Sequence, residues 1–252
     1  MGKIKLTVAY DGTDFSGFQR QPGKRTVQGT LEKLLTRVTG ESISVIGSGR
    51  TDAGVHALGQ VIHFKTSVPI PTERWVRLLN ASLPRDLLVT EANEVPLEFH
   101  AQHDACWKHY RYTIDTSSLP DLFRRRYQTH YPYPLSCVRM QRATGYVLGT
   151  HDFTSFSAAR AQVKDRRRTL YRCEVKEVDP GIFSMEVVGN GFLYHMVRIL
   201  TGTLVEIGAG KISPEEMGEI LQAKDRSVAG KTFPPEGLTL MKVGYTPWSG
   251  KP

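Results

Sequence analysis

A carboxylate, Asp52, sits within the segment Gly47-Ser48-Gly49-Arg50-Thr51-Asp52-Ala53-Gly54-Val55-His56. Gly47 and Gly49 precede it, and Ala53 and Gly54 follow it, so little side-chain bulk hinders close approach. Apolar runs at 43–46 and 60–66 bracket the segment and read as strands. A short acidic loop held between strands offers an ionised carboxylate to an outside partner. Arg50, two residues away, can keep Asp52 ionised or reach the same ligand. The plainer alternative is a β-connection with an Asp turn and a solvated arginine.

Other residues offer less. His100, His103, Asp104 and His109 are close in sequence but match no standard zinc spacing, so no metal is expected. Gly47-Ser48-Gly49 lacks the pattern of a nucleotide phosphate loop. Gly189-Asn190-Gly191 reads as a tight turn into a helix, or as an anion site at that helix's N-terminus. Lys108-His109-Tyr110-Arg111-Tyr112 is a strand with a tyrosine ladder, the usual form of core packing. Arg198 stands among Met196, Val197, Ile199 and Leu200. It must either snorkel to solvent or meet a carboxylate, with Asp52 the candidate.

The chain of 252 residues carries a formal net charge of +8, with basic runs at 124–126 and 164–168. Polyanions fit such a surface, because phosphate binding by Lys and Arg releases counterions. Tyr127, Tyr131 and Tyr133 beside the first run favour nucleic acid, since exposed bases stack on aromatic rings. A basic but ordinary surface is the other reading. The apolar fraction is 40% and the charged fraction 23%, as in folded globular proteins. No apolar run approaches the length of a membrane span, and the N-terminus reads as a strand rather than a signal peptide. Cys106, Cys137 and Cys173 are widely spaced and odd in number, which suggests a reduced, cytoplasmic setting.

The elements that must position these groups repeat. Ile4, Leu6, Val8 and Tyr10 alternate as a half-buried strand, and Val27, Leu31, Leu34, Leu35 and Val38 follow helical spacing. Strands at 43–46 and 61–64, a short helix around Trp75 and a strand at 87–95 complete the first half. The second half begins with a strand at 108–114. A helix capped by Ser136 and running to about Leu148 follows, then strands at 168–178 and 182–188. A long amphipathic helix is marked by residues from Phe192 to Ile207. Ser213-Pro214-Glu215-Glu216 forms a capping box for a further helix, and 238–245 supplies the last strand. Two tandem ferredoxin-like βαββαβ units follow, at 1–104 and 105–252, in an α+β fold. Their mainly antiparallel sheets are expected to join edge to edge into one extended sheet with helices on one face. The loop-rich segments 11–25, 116–135 and 149–165 are candidates to fold over a ligand.

Six blocks, in order from end to end, resemble the tRNA pseudouridine synthase A family. They are Tyr10-Asp11-Gly12-Thr13-Asp14-Phe15-Ser16-Gly17-Phe18-Gln19, the Asp52 block from Gly49 to Ala57, and Lys108-His109-Tyr110-Arg111-Tyr112. Gly149-Thr150-His151-Asp152-Phe153-Thr154-Ser155-Phe156, Asn190-Gly191-Phe192-Leu193-Tyr194-His195-Met196-Val197-Arg198 and Pro234-Pro235-Glu236-Gly237-Leu238 complete the set. The last departs from the pattern, which often carries His where Glu236 stands, and this bears only on a peripheral contact.

The resemblance implies an isomerase that converts uridine to pseudouridine at positions 38, 39 and 40 of the tRNA anticodon stem-loop. It implies Asp52 as the nucleophile, Tyr110 against the target base, Arg198 paired with Asp52, and Arg50 displacing or holding the flipped nucleotide. It also implies a homodimer. The reaction breaks an N-glycosidic bond and forms a C-glycosidic one without net water or electron transfer, so no cofactor or metal is demanded. The target base must leave its stack to reach the carboxylate. Basic residues at 116–135 and 160–168 would hold phosphates and set position rather than sequence. A non-catalytic RNA-binding module is a poorer fit, because a carboxylate beside phosphates weakens binding unless it does chemistry. A metal-assisted nuclease is the remaining alternative.

Overall fold

A computed structural model describes residues 2–158 and 163–250. Residues 159–162, which fall within the 149–165 and 160–168 segments named above, lie outside the described residues. The fold is mixed α+β, and the chain divides into two compact units. The first holds residues 1–106 and 240–247, and the second holds 107–239 and 248–252. The chain thus returns to its first unit in its last strand.

In the first unit the order is β1 (Gly2–Tyr10), α1 (Val27–Thr39), β2 (Ile46–Gly47), β3 (His56–Thr66), α2 (Thr72–Asn80) and β4 (Leu87–Val95). β1 lies between β3 and β4 and is antiparallel to both, with Leu6 opposite Ile62 on one side and Ala92 on the other. Its inward residues Ile4, Leu6, Val8 and Tyr10 are all buried, as their alternation requires. α1 starts at Thr26, whose hydroxyl accepts from the Gly29 amide, and ends at Gly40 in the left-handed conformation. It buries Val27, Leu31, Leu34 and Leu35. α2 buries Trp75, whose ring meets Phe64 of β3 edge-on at 5.3 Å.

The expected strand at 43–46 shrinks to the two residues of β2. Ile43 and Val45 are nevertheless buried, so the alternation persists without ladder pairing. One reason is that the Val45 amide donates to the Glu32 carboxylate of α1, at 3.0 Å, rather than to a neighbouring strand.

The second unit contains β5 (Trp107–Asp115), β6 (Thr129–His130), α3 (Cys137–Thr144), β7 (Gly149–Asp152), β8 (Arg167–Asp179), β9 (Ile182–Gly189), α4 (Met196–Gly208) and α5 (Glu216–Ala223). The final strand, β10 (Leu238–Gly244), starts here and ends in the first unit. β9 pairs antiparallel with both β5 and β8, and β7 extends the edge beyond β8. Neither β6 nor β7 shows in the sequence, because two and four residues are too few for a period.

Ser136 caps α3, accepting from the Arg139 amide, but the helix stops at Thr144 and a 3₁₀ turn replaces its expected end. α4 begins at Met196 rather than near Phe192, because His195 takes a left-handed conformation at φ 62° and interrupts the helical path. The capping box of α5 is reciprocal: the Ser213 amide donates to Glu216 Oε2 at 2.6 Å, and the Glu216 amide to Ser213 Oγ at 3.4 Å. No helix among the described residues is long and apolar enough to cross a membrane.

One buried group in the first unit makes stability pH-dependent. His63 of β3 accepts a hydrogen bond at Nδ1 from the Ala101 amide at 3.1 Å. Burial pushes its pKa down to about 4, and the charges of Lys3, His100 and Lys65 push the same way against Asp104. Below about pH 6.5 the unfolded chain therefore binds a proton that the folded chain refuses. Folding stability should fall as pH drops from about 6.5 towards 4, and His63→Gln should remove that part of the fall. Denaturant titrations across this range would overturn the assignment if both proteins showed the same pH profile.

Candidate active site

The Asp52 loop is fastened on both sides by buried polar groups of the first unit. Before it, the Ser48 amide donates to the Val61 carbonyl at 2.7 Å, and Ser48 Oγ donates to Gln60 Oε1 at 2.6 Å. Gln60 Nε2 in turn donates to the Gly49 carbonyl at 3.1 Å. Adjacent to Asp52, Thr51 Oγ1 shares a hydrogen bond of 2.8 Å with the Tyr10 hydroxyl, and its carbonyl accepts from the Phe18 amide at 3.0 Å. After it, the Val55 amide closes a turn on the Asp52 carbonyl at 3.2 Å. Gly54 in that turn has φ 79°. The half-buried Asp52 and the exposed Arg50 are thus carried on a backbone anchored by the buried side chains of Tyr10, Ser48, Thr51 and Gln60.

Residues 11–19 hold the outer side of the loop. The Gly12 amide donates to His56 Nδ1 at 3.0 Å. A Cβ at Gly12 would drive into the Val55 carbonyl, so only glycine permits this approach. Gly17 combines φ 85° with a backbone only 2.9 Å, at its absent Cβ, from the Thr51 carbonyl. The first motif is therefore the clamp that shapes the second.

Tyr10 is central to this clamp. Burial raises its pKa to about 12, against hydrogen bonds from Thr51 and Gln60 that lower it, so the ring keeps its proton at any physiological pH. Nothing in the alternation of β1 distinguishes Tyr10 from a core residue, and Gln60 reads as one polar residue in an apolar strand. Their role shows only when the fold brings positions 10, 48, 51 and 60 together.

The second unit carries the other two expected site residues. Tyr110 lies on β5 opposite Val187 of β9 and is largely buried, with its ring edge-to-face against Phe192 at 5.0 Å and 83°. Arg198 is half-buried in the first turn of α4 and donates from Nε to the Phe233 carbonyl at 2.7 Å, while the Phe233 amide donates to the Arg198 carbonyl at 3.1 Å. This two-way link ties α4 to the segment that leads into the Pro234-Pro235-Glu236 motif. Nearby, the Tyr112 hydroxyl donates to the Pro234 carbonyl at 2.7 Å and meets Thr129 Oγ1 at 2.6 Å. Burial raises the Tyr112 pKa strongly, with the Glu236 charge adding to it and Arg198 opposing it. Glu236, at the departure from the family pattern, accepts from Thr129 Oγ1 at 3.4 Å, beside the Tyr112 hydroxyl. Among the described residues no group of three or more His, Cys, Asp or Glu is placed to hold a metal ion.

Removing the Tyr10 hydroxyl strands buried groups on Thr51 and Gln60. Tyr10→Phe should cost about 1–3 kcal/mol of folding stability while preserving ring packing. Guanidinium titration would refute the clamp if the variant's midpoint matched the parent's.

A model of the tRNA pseudouridine synthase family matches residues 6–104 and 143–246, which include Asp52 and Arg198. The tRNA pseudouridine synthase A of Brevibacillus brevis is 51% identical over 245 residues, covering 97% of this chain and all of that one. Its counterpart in Halalkalibacterium halodurans is 55% identical over 240 residues, covering 94% of this chain and 90% of that one. That of Bacillus subtilis is 49% identical over 245 residues, with 96% and 99% covered. Likeness of this extent, carried end to end on the motifs that build the Asp52 loop, shows that the chain belongs to the tRNA pseudouridine synthase family and is an isomerase.

Proposed function

We propose that the protein converts uridine to pseudouridine at positions 38, 39 and 40 of the tRNA anticodon stem-loop, with Asp52 as nucleophile and without cofactor or metal. The observation that carries this reading is the Asp52 loop, a carboxylate on a backbone pinned by the buried side chains of Tyr10, Ser48, Thr51 and Gln60. A pinned backbone supports catalysis because a reacting group must keep its geometry while the substrate changes. The N-glycosidic bond breaks, the uracil turns, C5 bonds to the sugar carbon, and the C5 proton leaves as N1 gains one. One ionised carboxylate with electrostatic support suffices for such an isomerisation.

The remaining roles follow the same resemblance. Tyr110 packs on the target base, Arg50 helps to displace or hold the flipped nucleotide, and Arg198 serves as the counter-ion of the Asp52 carboxylate. A base drawn from the helix needs an aromatic surface to replace its lost stacking. The basic runs at 124–126 and 164–168 suit the phosphates of the stem. The working form is a homodimer and the setting is the cytoplasm.

Asp52→Ala should lower tritium release from uracil C5-labelled tRNA by more than about a thousandfold, with tRNA binding and folding kept. Near-normal release would sink the nucleophile assignment. For Tyr110, truncation to Ala should weaken tRNA binding by about 1–3 kcal/mol, whereas Tyr110→Phe should bind almost as the parent does. Equal binding by the two variants would argue against a stacking role.

A further inference from the structure

The two faces of β5 differ in how their charges are satisfied. On one face His109 Nε2 and Arg111 Nε both bond to the Glu186 carboxylate of β9, the latter at 2.6 Å. On the other stand Lys108, Tyr110 and Tyr112. Lys108 is half-buried, and among the described residues no carboxylate pairs with it. The charge acting on it is another cation, Arg168 of β8. Burial first, and that guanidinium second, draw the Lys108 pKa down to about 8. Arg168 is itself half-buried and donates from Nη1 to the carbonyls of Asp165, at 3.0 Å, and Arg167, at 2.6 Å. The Asp165 charge offsets it in part, but no carboxylate oxygen is bonded to it among the described residues.

The backbone around this pair is bare. Lys108 lies opposite Gly189 of β9, and Gly189 lies opposite Leu170 of β8, so three strands meet there. A Cβ at Gly189 would press on Leu170 and the Thr169 carbonyl, each at 2.8 Å, and approach Phe192 at 3.4 Å. Two residues on, a Cβ at Gly191 would lie 3.5 Å from Arg168 Nε, which puts the Gly191 backbone beside the guanidinium. Phe192 in turn meets Tyr110 edge-on. Lys108, Arg168, Gly191 and the Tyr110–Phe192 pair thus border one patch.

We propose that Lys108 and Arg168 together seat a phosphate of the RNA backbone next to the Tyr110 ring. Two cations with no carboxylate bonded to either are unfavourable in the empty fold, and the monoanionic oxygens of a phosphodiester between them reverse the sign. A phosphodiester suits the site because it offers two acceptor oxygens, one for an ammonium and one for a guanidinium. The inference rests on the reading that the protein acts on RNA, and it adds where a phosphate is gripped in relation to the base.

The test measures binding of an unmodified tRNA transcript between about 50 and 200 mM salt, together with thermal stability. Lys108→Met should weaken binding roughly five- to tenfold at the lower salt and flatten the log–log salt slope by about 1, while its Tm equals or exceeds the parent's. Lys108→Arg should restore the slope. Unchanged affinity and slope in Lys108→Met would overturn the seat, and so would weaker binding accompanied by a lower Tm, since that marks a structural lysine. If inorganic phosphate at matched ionic strength raised the parent's Tm while the variant's tRNA binding stayed normal, the site would belong to free phosphate and the RNA assignment would fall. Failure of the parent to bind tRNA would instead defeat the broader RNA reading, and an active Asp52→Ala would defeat the nucleophile without touching this site.

Discussion

The Gln60 side chain is the constraint on which the first unit's site depends. Fully enclosed on β3, it accepts from Ser48 Oγ and the Val61 amide and donates to the Gly49 carbonyl. It also faces the Tyr10 hydroxyl, which holds Thr51. A buried amide must place all its donors and acceptors, and here it places them on the backbone of a loop that has no regular structure of its own. The loop therefore inherits the rigidity of the sheet. Glycines at 12 and 17 let a second segment close over it, and this clamp is built wholly from short-range fits and buried bonds.

The second unit shows the opposite treatment of charge. Glu186 takes bonds from a histidine and an arginine on one face of β5, and burial alone would raise its pKa. The hydrogen bonds and charges of His109 and Arg111 outweigh that and lower it instead. Across the strand, Lys108 and Arg168 have no such partner among the described residues. The proposed phosphate seat rests on this contrast between the two faces. The face that carries Lys108 also carries Tyr110 and the buried Tyr112.

Much of the architecture was legible in residue order. Alternation marked β1, helical spacing marked α1, and Ser213 to Glu216 announced the start of α5 with its reciprocal bonds. The strand at 43–46 was overread because buried alternation persists where the Glu32 carboxylate, rather than a neighbouring strand, takes an amide. The start of α4 was placed too early because Phe192 and Met196 share a helical spacing. The left-handed backbone of His195 breaks the helix between them, and hydrophobic periodicity does not report φ.

Sequence alone determined the family, through six ordered blocks, and singled out Asp52, Tyr110, Arg50 and Arg198 as residues to weigh. It also determined the basic balance that fits a polyanion. Only tertiary structure decided which polar residues hold Asp52's backbone, and which cations on β5 go unanswered. Tyr10 reaches Thr51 across 41 positions, and His109 reaches Glu186 across 77. Local patterns carry the preference of a residue for strand, helix or turn. The partner of a buried donor or charge is chosen by the register of strands far apart in the chain, and no local pattern records that choice.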